Sequence, residues 1–274
     1  MKQPFLIADS GGSKTDWCFV DELGERHFFT SESYHPSNWS KAFIRQISDF
    51  WNQRPELKKI PLHFFCAGCL HSQKAKELES IFNTIGFDEV SVKSDLHAAG
   101  LALLGNKHGR FAIMGTGSVL VDWGEGEVIK VYGGKGHIDG DEGSGFYFGK
   151  LVCEAYLKGT LSREQENILR KEVSLALLVE KHNQSDIKYV LADVSAALQN
   201  EQLLFLDFHR QNIHAFYHSV LENRVPIDLR IVGGYFYHNS TILLPILSDL
   251  DVQVVDFQNK PIDLLVDYMM APVE

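Results

Sequence analysis

The stretch Leu6-Ile7-Ala8-Asp9-Ser10-Gly11-Gly12-Ser13-Lys14-Thr15-Asp16-Trp17 decides how this chain is read. It ends in Ser-Lys-Thr, much as a P-loop ends in Gly-Lys-Ser/Thr. A P-loop reads Gly-x-x-x-x-Gly-Lys-Ser/Thr and starts a helix at the lysine. Counting back from Thr15, the two glycine positions hold Ala8 and Ser13, and both fail. The following residues, Asp16-Trp17-Cys18-Phe19-Val20, are rich in β-formers and run into the turn Asp21-Glu22-Leu23-Gly24. The loop therefore joins two antiparallel strands. Gly11 and Gly12 supply backbone freedom, Ser13 and Thr15 hydroxyls, and Lys14 a charge. Such a hairpin can wrap an anion with backbone N–H groups. It can equally be an ordinary Gly-Gly turn.

Outward from this loop, Phe5–Asp9, Trp17–Val20 and Arg26–Thr30 read as a three-strand meander. Phe43, Ile44, Ile47, Phe50 and Trp51 have helical spacing, so Lys41–Arg54 is expected to be a helix. Leu62–Phe65 is a buried strand, Ala75 to Ile85 a helix, Val90–Val92 a strand and Leu96–Leu104 a helix. The polar segment Gly105–Gly109 reads as a joint. The pattern then restarts with strands at Phe111–Met114, Ser118–Trp123 and Glu127–Tyr132, the first two joined by Gly115-Thr116-Gly117. A Gly-rich run, Gly133–Gly145, leads into a mostly helical stretch up to Asn223. Strand Leu229–Val232 ends in Gly233-Gly234, and Thr241–Leu247, Val252–Val255 and Ile262–Met270 are helix, strand and helix. The expected domains are 1–107 and 108–274. The terminal helix, about 261–271, is a candidate to pack back on the first domain. Both halves open with strand, Gly turn, strand, turn, strand, the mark of a duplicated architecture.

With 274 residues, 45% of them hydrophobic, the chain has ample material for a buried core. A net charge of -10 argues against general nucleic-acid binding, which needs basic clusters, and against docking on anionic membrane. No apolar run approaches the roughly 20 residues that span a bilayer. Met1-Lys2-Gln3-Pro4 leads straight into a strand without a signal-peptide apolar region, so a cytoplasmic location is expected. Cys18, Cys66, Cys69 and Cys153 read as reduced thiols in that setting. Cys66-Ala67-Gly68-Cys69 could be a redox motif or half a zinc site. No second pair follows at metal-ligand spacing, so structural cysteines are the favoured reading.

The second loop bears on the first. Ile113-Met114-Gly115-Thr116-Gly117-Ser118 repeats the same logic at the equivalent place in the second half. Two such hairpins suggest two jaws on one polyphosphate, and Gly233-Gly234 could let backbone approach a flat base. At this point the chain resembles the sugar kinase, Hsp70 and actin superfamily. More narrowly it is similar to the BadF/BadG/BcrA/BcrD ATPase family, which includes the N-acetylglucosamine kinases. The pieces that match are ADSGGSKTDW, SDLHAAGLALLG, IMGTGSV, GGKGHIDGDEGSGFYFGK, IVGGYFY and NKPIDLLVDYM, in order along nearly the whole chain.

The resemblance implies an α/β fold of two RNase H-like, actin-like ATPase domains with a cleft between them. It implies ATP and Mg²⁺ as cofactors, a small amino sugar as substrate, and domain closure that excludes water. Asp9 would hold Mg²⁺, through water. Gly11, Gly12, Ser13, Lys14 and Thr15, with Gly115, Thr116 and Gly117, would grip the β- and γ-phosphates. Gly233 and Gly234 would line the adenosine pocket, Asn38, Ser118 and Asp141 would meet the sugar, and Asp95 would be the catalytic base. Chemistry supports Asp95 separately, because phosphoryl transfer asks for a carboxylate to accept the hydroxyl proton. The alternative for Asp95 is an ordinary helix N-cap. Asp139, Asp141 and Glu142 could also be a metal cluster or a solvated acidic turn.

Two positions depart from the family pattern. Val119 stands where the family often has Asn, and Lys135 where the eukaryotic-type N-acetylglucosamine kinases have Trp. Both positions lie near the sugar's C2 substituent in the family, so the particular sugar is left open. A homodimer is left open too. Two other classes come into view: the activators of 2-hydroxyacyl-CoA dehydratases, and a non-catalytic ATP- or sugar-binding regulator. The activators carry an iron–sulfur cluster with a Cys just before the Gly-Thr-Gly loop, where this chain has Met114. A regulator would have no need of Asp9 and Asp95.

Overall fold

Three successive strands open the chain, as the sequence predicts. In the computed structural model, which describes residues 3–12, 14–136, 140–173 and 187–271, these are β1 (Phe5–Ser10), β2 (Lys14–Val20) and β3 (Arg26–Glu32). β2 starts three residues before the expected Trp17 because β3 also runs on, to Glu32, and pairs with Lys14 and Thr15. Cross-strand pairing overrides the weak strand preference of Lys. β1 thus ends at Ser10 and β2 is under way by Lys14.

The chain forms two units, Met1–Asn106 with Pro261–Glu274, and Lys107–Lys260. In the first, β4 (Leu62–Cys66) and β5 (Val90–Ser94) join in parallel to give a five-stranded sheet ordered β3-β2-β1-β4-β5. Helices α1 (Lys41–Asn52) and α2 (Ser72–Thr84) bury Phe43, Ile47, Trp51, Ala75, Leu78 and Phe82 in one core with Leu6, Ala8, Trp17, Leu62, Phe64 and Val92. Trp17 is fully buried and meets Trp51 edge-on at 4.8 Å and Phe64 at 5.3 Å. Burying one such side chain is worth about 1.5–3 kcal/mol. Helix α3 (Asp95–Leu104) packs against the C-terminal helix Ile262–Met270, which also touches β1 and β2.

In the second unit the strands are β6 (Gly109–Met114), β7 (Ser118–Gly124), β8 (Glu127–Gly133), β9 (Ile227–Val232) and β10 (Val252–Gln258). Their order is β8-β7-β6-β9-β10, with two antiparallel and two parallel pairings. Numbered within each unit, both sheets therefore run 3-2-1-4-5. Low residue similarity between the halves conceals one shared framework.

Among the described residues the α-helices of this unit are α4 (Gly145–Leu157), α5 (Arg163–Glu172), α6 (Ile187–Ala197), α7 (Leu206–Phe216) and α8 (Gly234–Ser248), followed in the chain by α9, the Ile262–Met270 helix of the first unit. Helix α8 begins directly after β9, well before the expected Thr241. Tyr237 N donates to Gly233 O at 3.0 Å, so the helix starts at the Gly-Gly pair. Helix α4 lies close against α6 because Gly149 has no side chain: a Cβ there would stand 1.9 Å from Leu191 O. Gly149→Ala should therefore push α6 off α4 at a cost of about 1–3 kcal/mol or more. A chemical denaturation series reads this as a lowered unfolding midpoint; an unchanged midpoint would contradict the packing.

Candidate functional site

In the first unit, strand register sets the candidate site. Ser10, Cys66 and Ser94 align across the C-terminal ends of β1, β4 and β5, and Asp9, Phe65 and Lys93 align one residue earlier. Asp9 and Asp95 thus come to the same sheet edge, on strands two spacings apart, about 10 Å. In open α/β sheets this edge is where ligands bind.

The hairpin at this edge is tied by Gly11 N donating to Lys14 O at 3.0 Å and by Ser33 Oγ donating to Gly11 O at 2.6 Å. A Cβ on Gly11 would find its nearest neighbour at 3.9 Å, so the fold leaves that face open. Lys14 is half exposed, its Nζ 3.5 Å from Asp16 Oδ1. Thr15 differs from expectation. Its side chain is fully buried, Oγ1 lying 2.8 Å from both Ser10 Oγ and Glu32 O. Its hydroxyl closes the sheet from within and is shut off from solvent. Ser13 lies outside the described residues, as does Asp139.

Asp16 stands directly opposite Asp9 in the antiparallel pair, so both carboxylates share one face of the sheet. Like charges placed so are destabilising, and a divalent cation relieves that. Hard carboxylate oxygens suit Mg²⁺, which takes one or two carboxylates and completes its shell with water and phosphate. Among the described residues no group of three or more metal-ligating side chains forms a full cage. The donor set fits Mg²⁺ held partly by a nucleotide.

Asp95 is the first residue of α3, and the N-cap is Ser94. The Ser94 hydroxyl lies 2.8 Å from His97 Nδ1 and caps no helix N–H. Asp95 Oδ1 accepts from Leu96 N at 3.1 Å, and the residue is partly exposed. Negative charge is favoured in the first helical turn. Beside it, Cys66 and Cys69 are buried free thiols. The hydrogen bond to Cys69, with burial, pushes the Cys66 thiol well up, away from the reactive thiolate form. Asn38, the expected sugar contact, is exposed at the end of the turn Pro36–Asn38 and donates Nδ2 to Ser33 O at 3.2 Å.

In the second unit, the Gly115–Gly117 hairpin is held by backbone. Gly115 N donates to Gly117 O at 3.0 Å, and Gly145 N and Phe146 N, from the first turn of α4, donate to Gly115 O at 2.9 Å and Thr116 O at 3.3 Å. Among the described residues, the Thr116 and Gly117 amides take no hydrogen bond. Behind the hairpin, Gly233 at φ 134° abuts the Met114–Gly115 peptide, where a Cβ would stand 2.5 Å from Met114 C and O. This close approach gives Gly233 a reason within the fold. Gly234 opens α8 with room around it, its nearest neighbour 3.5 Å away.

Asp141 sits at φ 64°, only 4% exposed. Its Oδ1 accepts from Ser118 N at 3.1 Å, and its Oδ2 lies 3.0 Å from Lys188 Nζ. That contact compensates charge but is off the hydrogen-bonding direction, so Oδ2 keeps its acceptor capacity open. Ser118 is buried and donates Oγ to Glu142 O at 2.5 Å, so its side chain holds the loop. Asn212 anchors the same loop from behind, accepting from Gly143 N at 2.6 Å and donating to Ser144 O and Tyr235 Oη at 2.9 Å. The Tyr235 hydroxyl also lies 2.9 Å from His209 Nδ1, which ties the buried imidazole to the same network. Sequence reasoning missed Asp16, Lys188 and Asn212. Only Asp16 left a signal, since a tight hairpin that pairs Ser10 with Thr15 must pair Asp9 with Asp16.

A hollow of about 710 Å³ lined by Phe19, His27, Phe29, Arg54, Leu57 and Ile60 opens at the opposite end of the first sheet, beside Pro4 and the Asp21 turn. It holds none of these groups. The iron–sulfur alternative lacks its thiolate: Met114, fully buried, precedes the second hairpin.

No family model matches the chain. Over 125 residues it is 29% identical to an N-acetylmuramic acid/N-acetylglucosamine kinase of Clostridium acetobutylicum, a match covering 45% of this chain and 40% of that protein. The matched stretch is thus about two fifths of that relative's length. A solved structure from Porphyromonas gingivalis, provisionally named an N-acetylglucosamine kinase, is similar with TM-score 0.81 at 22% identity, covering 96% of this chain and 98% of that one. A ROK family glucokinase from Streptomyces griseus, solved with glucose and AMPPNP, gives TM-score 0.56 at 13% identity, with 97% of both chains covered. The chain has the mixed α/β, two-domain actin-like ATPase fold.

Two measurements test this geometry. Gly11→Ala should leave the melting midpoint unchanged, whereas Gly233→Ala should lower it by several degrees, overpacking costing about 1–3 kcal/mol. Equal midpoints for the two variants would contradict the assignment. Burial also pushes the His209 imidazole from its ordinary value near 6.5 down to about 3. The unfolded chain then binds a proton that the folded one refuses. The contribution is full above about pH 6.5 and is lost as pH falls towards 3, by at most about 1.4 kcal/mol per pH unit. Melting midpoints from pH 7 to 4.5 should fall less steeply in His209→Gln than in the unaltered protein; parallel curves would contradict it.

Proposed function

We propose that this chain is an ATP- and Mg²⁺-dependent carbohydrate kinase of the BadF/BadG/BcrA/BcrD ATPase kind, acting on a hydroxyl of a small amino sugar in the cytoplasm. The observation that carries this reading is the pair of equivalent hairpins. Each leaves the first strand of a 3-2-1-4-5 sheet, and each has its first glycine tied at both N–H and C=O. The Thr116 and Gly117 amides supply donors for phosphate oxygens. The names of the similar proteins, N-acetylmuramic acid/N-acetylglucosamine kinase and glucokinase, point the substrate search to hexoses and their amino derivatives.

In this mechanism Asp95 accepts the proton of the sugar hydroxyl as that oxygen bonds to the terminal phosphorus of ATP. The bond from phosphorus to the bridging oxygen breaks, and ADP leaves with that electron pair. Asp95 can serve because its carboxylate is partly exposed and is not the helix cap. Asp141 is the residue that meets a sugar hydroxyl, its charge balanced by Lys188. Asp9, with Asp16 beside it, would hold Mg²⁺, which supplies charge neutralisation on the phosphates when bound. Lys14 and the backbone of Gly11–Thr15 contribute to the nucleotide grip, and Gly234 lines the base.

A coupled ADP-release assay over glucosamine, N-acetylglucosamine, N-acetylmuramic acid, N-acetylmannosamine and glucose tests the reading. At least one sugar should stimulate release, and Asp95→Asn should lower that turnover about 10²–10⁴-fold with folding intact. No stimulation by any of the five, or near-normal turnover in Asp95→Asn, would overturn it.

A further inference from the structure

Lys188 belongs to none of the motifs in the sequence, yet it stands at the second hairpin. It is the second residue of α6, and α6 is held against α4 by the contact between Gly149 and Leu191. From there Nζ reaches to 3.0 Å from where a Gly117 Cβ would lie, and to 3.0 Å from Asp141 Oδ2. The lysine side chain is 25% exposed and its carboxylate partner 4%, so the charge that meets solvent at this hairpin is the cation. Among the described residues, no other ion pair has so deeply buried a carboxylate. Lysine carries three N–H donors, and the contact with Asp141 Oδ2 engages at most one of them.

A buried ion pair by itself is weak support for stability, since desolvation cancels much of the attraction. If neutralising Asp141 were the whole task, a hydrogen bond along the carboxylate lone pair would do it better. The observed contact keeps the ammonium close and leaves it donors to spare. Asp141 holds the Gly117–Ser118 turn through Ser118 N and steadies the lysine over Gly117. The ligand chemistry that answers a fixed cation beside two open backbone amides is an anionic oxygen.

We propose that Lys188 contacts the terminal phosphate of the bound nucleoside triphosphate, with Asp141 as the residue that positions it. This rests on the kinase reading, in which phosphoryl transfer spreads charge over the equatorial oxygens of the terminal group. Lysine meets such charge as a mobile point cation. An anionic group on the sugar, such as a carboxylate, shares the same chemistry, and the experiment separates the two.

The test titrates the full chain calorimetrically with AMPPNP and with ADP, Mg²⁺ present, and separately with N-acetylmuramic acid and N-acetylglucosamine. The set comprises the unaltered protein, Lys188→Met, Lys188→Arg and the double variant Lys188→Met with Asp141→Asn. The double variant guards against misfolding caused by a buried Asp141 without its counter-ion. Loss of the contact should weaken AMPPNP about ten- to hundredfold, the range for a charge-assisted hydrogen bond. ADP should change far less, and Lys188→Arg should recover most of the AMPPNP affinity. Equal weakening of both nucleotides would overturn the proposal. So would unchanged nucleotide binding with a selective loss of N-acetylmuramic acid over N-acetylglucosamine, which would assign the cation to the sugar. Unfolding of both Met variants would make Lys188 a structural counter-ion and overturn it as well. If the unaltered protein binds neither nucleotide, the kinase reading itself falls.

Discussion

A loop of Gly-Thr-Gly has almost no side chain with which to hold its own shape, and the second unit is built around that lack. The Gly115–Gly117 hairpin is fixed from outside, on every side, by backbone and buried polar groups. The first turn of α4 donates to its carbonyls, Gly233 presses against its base, and Asp141 receives the Ser118 amide. Asn212 in turn fixes the loop that carries Asp141. The glycines leave room for all of this, and the amides of Thr116 and Gly117 are what remains uncommitted. A binding surface of backbone N–H groups needs such immobilisation, because a floppy hairpin would lose on ordering much of what it gains on binding.

The first unit solves the same problem with hydroxyls. Ser33 holds the Gly11 carbonyl, and the buried pair Ser10 and Thr15 locks the strands beneath, with Tyr34 N donating to Ser10 Oγ at 2.9 Å. The two hairpins thus share a place in the sheet and a tie on the first glycine, while the groups that supply the tie differ. At this loop the geometry of the tie is shared while the chemical identity of the donor is not.

Much of the framework was legible because strands and helices here follow their own periodicity. The meander and the helix at Ile262–Met270 lie where apolar spacing put them. The start of α8 fell earlier than the expected Thr241, and the close approach at Met114 gives Gly233 a packing reason that no local spacing shows. Thr15 reads as a phosphate ligand from its motif, but the period of two along β2 turns its hydroxyl into the core. Lys188 was out of reach altogether. Nothing in a single chain links it to Asp141, 47 positions earlier in the sequence, until a helix–helix contact at Gly149 brings them together. Residues assembled by tertiary packing leave no local spacing to read.

The central claim is that the two hairpins are the phosphate-binding elements. Hydrogen–deuterium exchange of backbone amides, measured with and without AMPPNP and Mg²⁺, addresses it most directly. The account predicts that the nucleotide slows exchange across residues 11–15 and across residues 115–118, with little change in the Pro4 to Asp21 end of the first sheet. Protection confined to other segments, with both hairpins exchanging as fast as in the free protein, would contradict it.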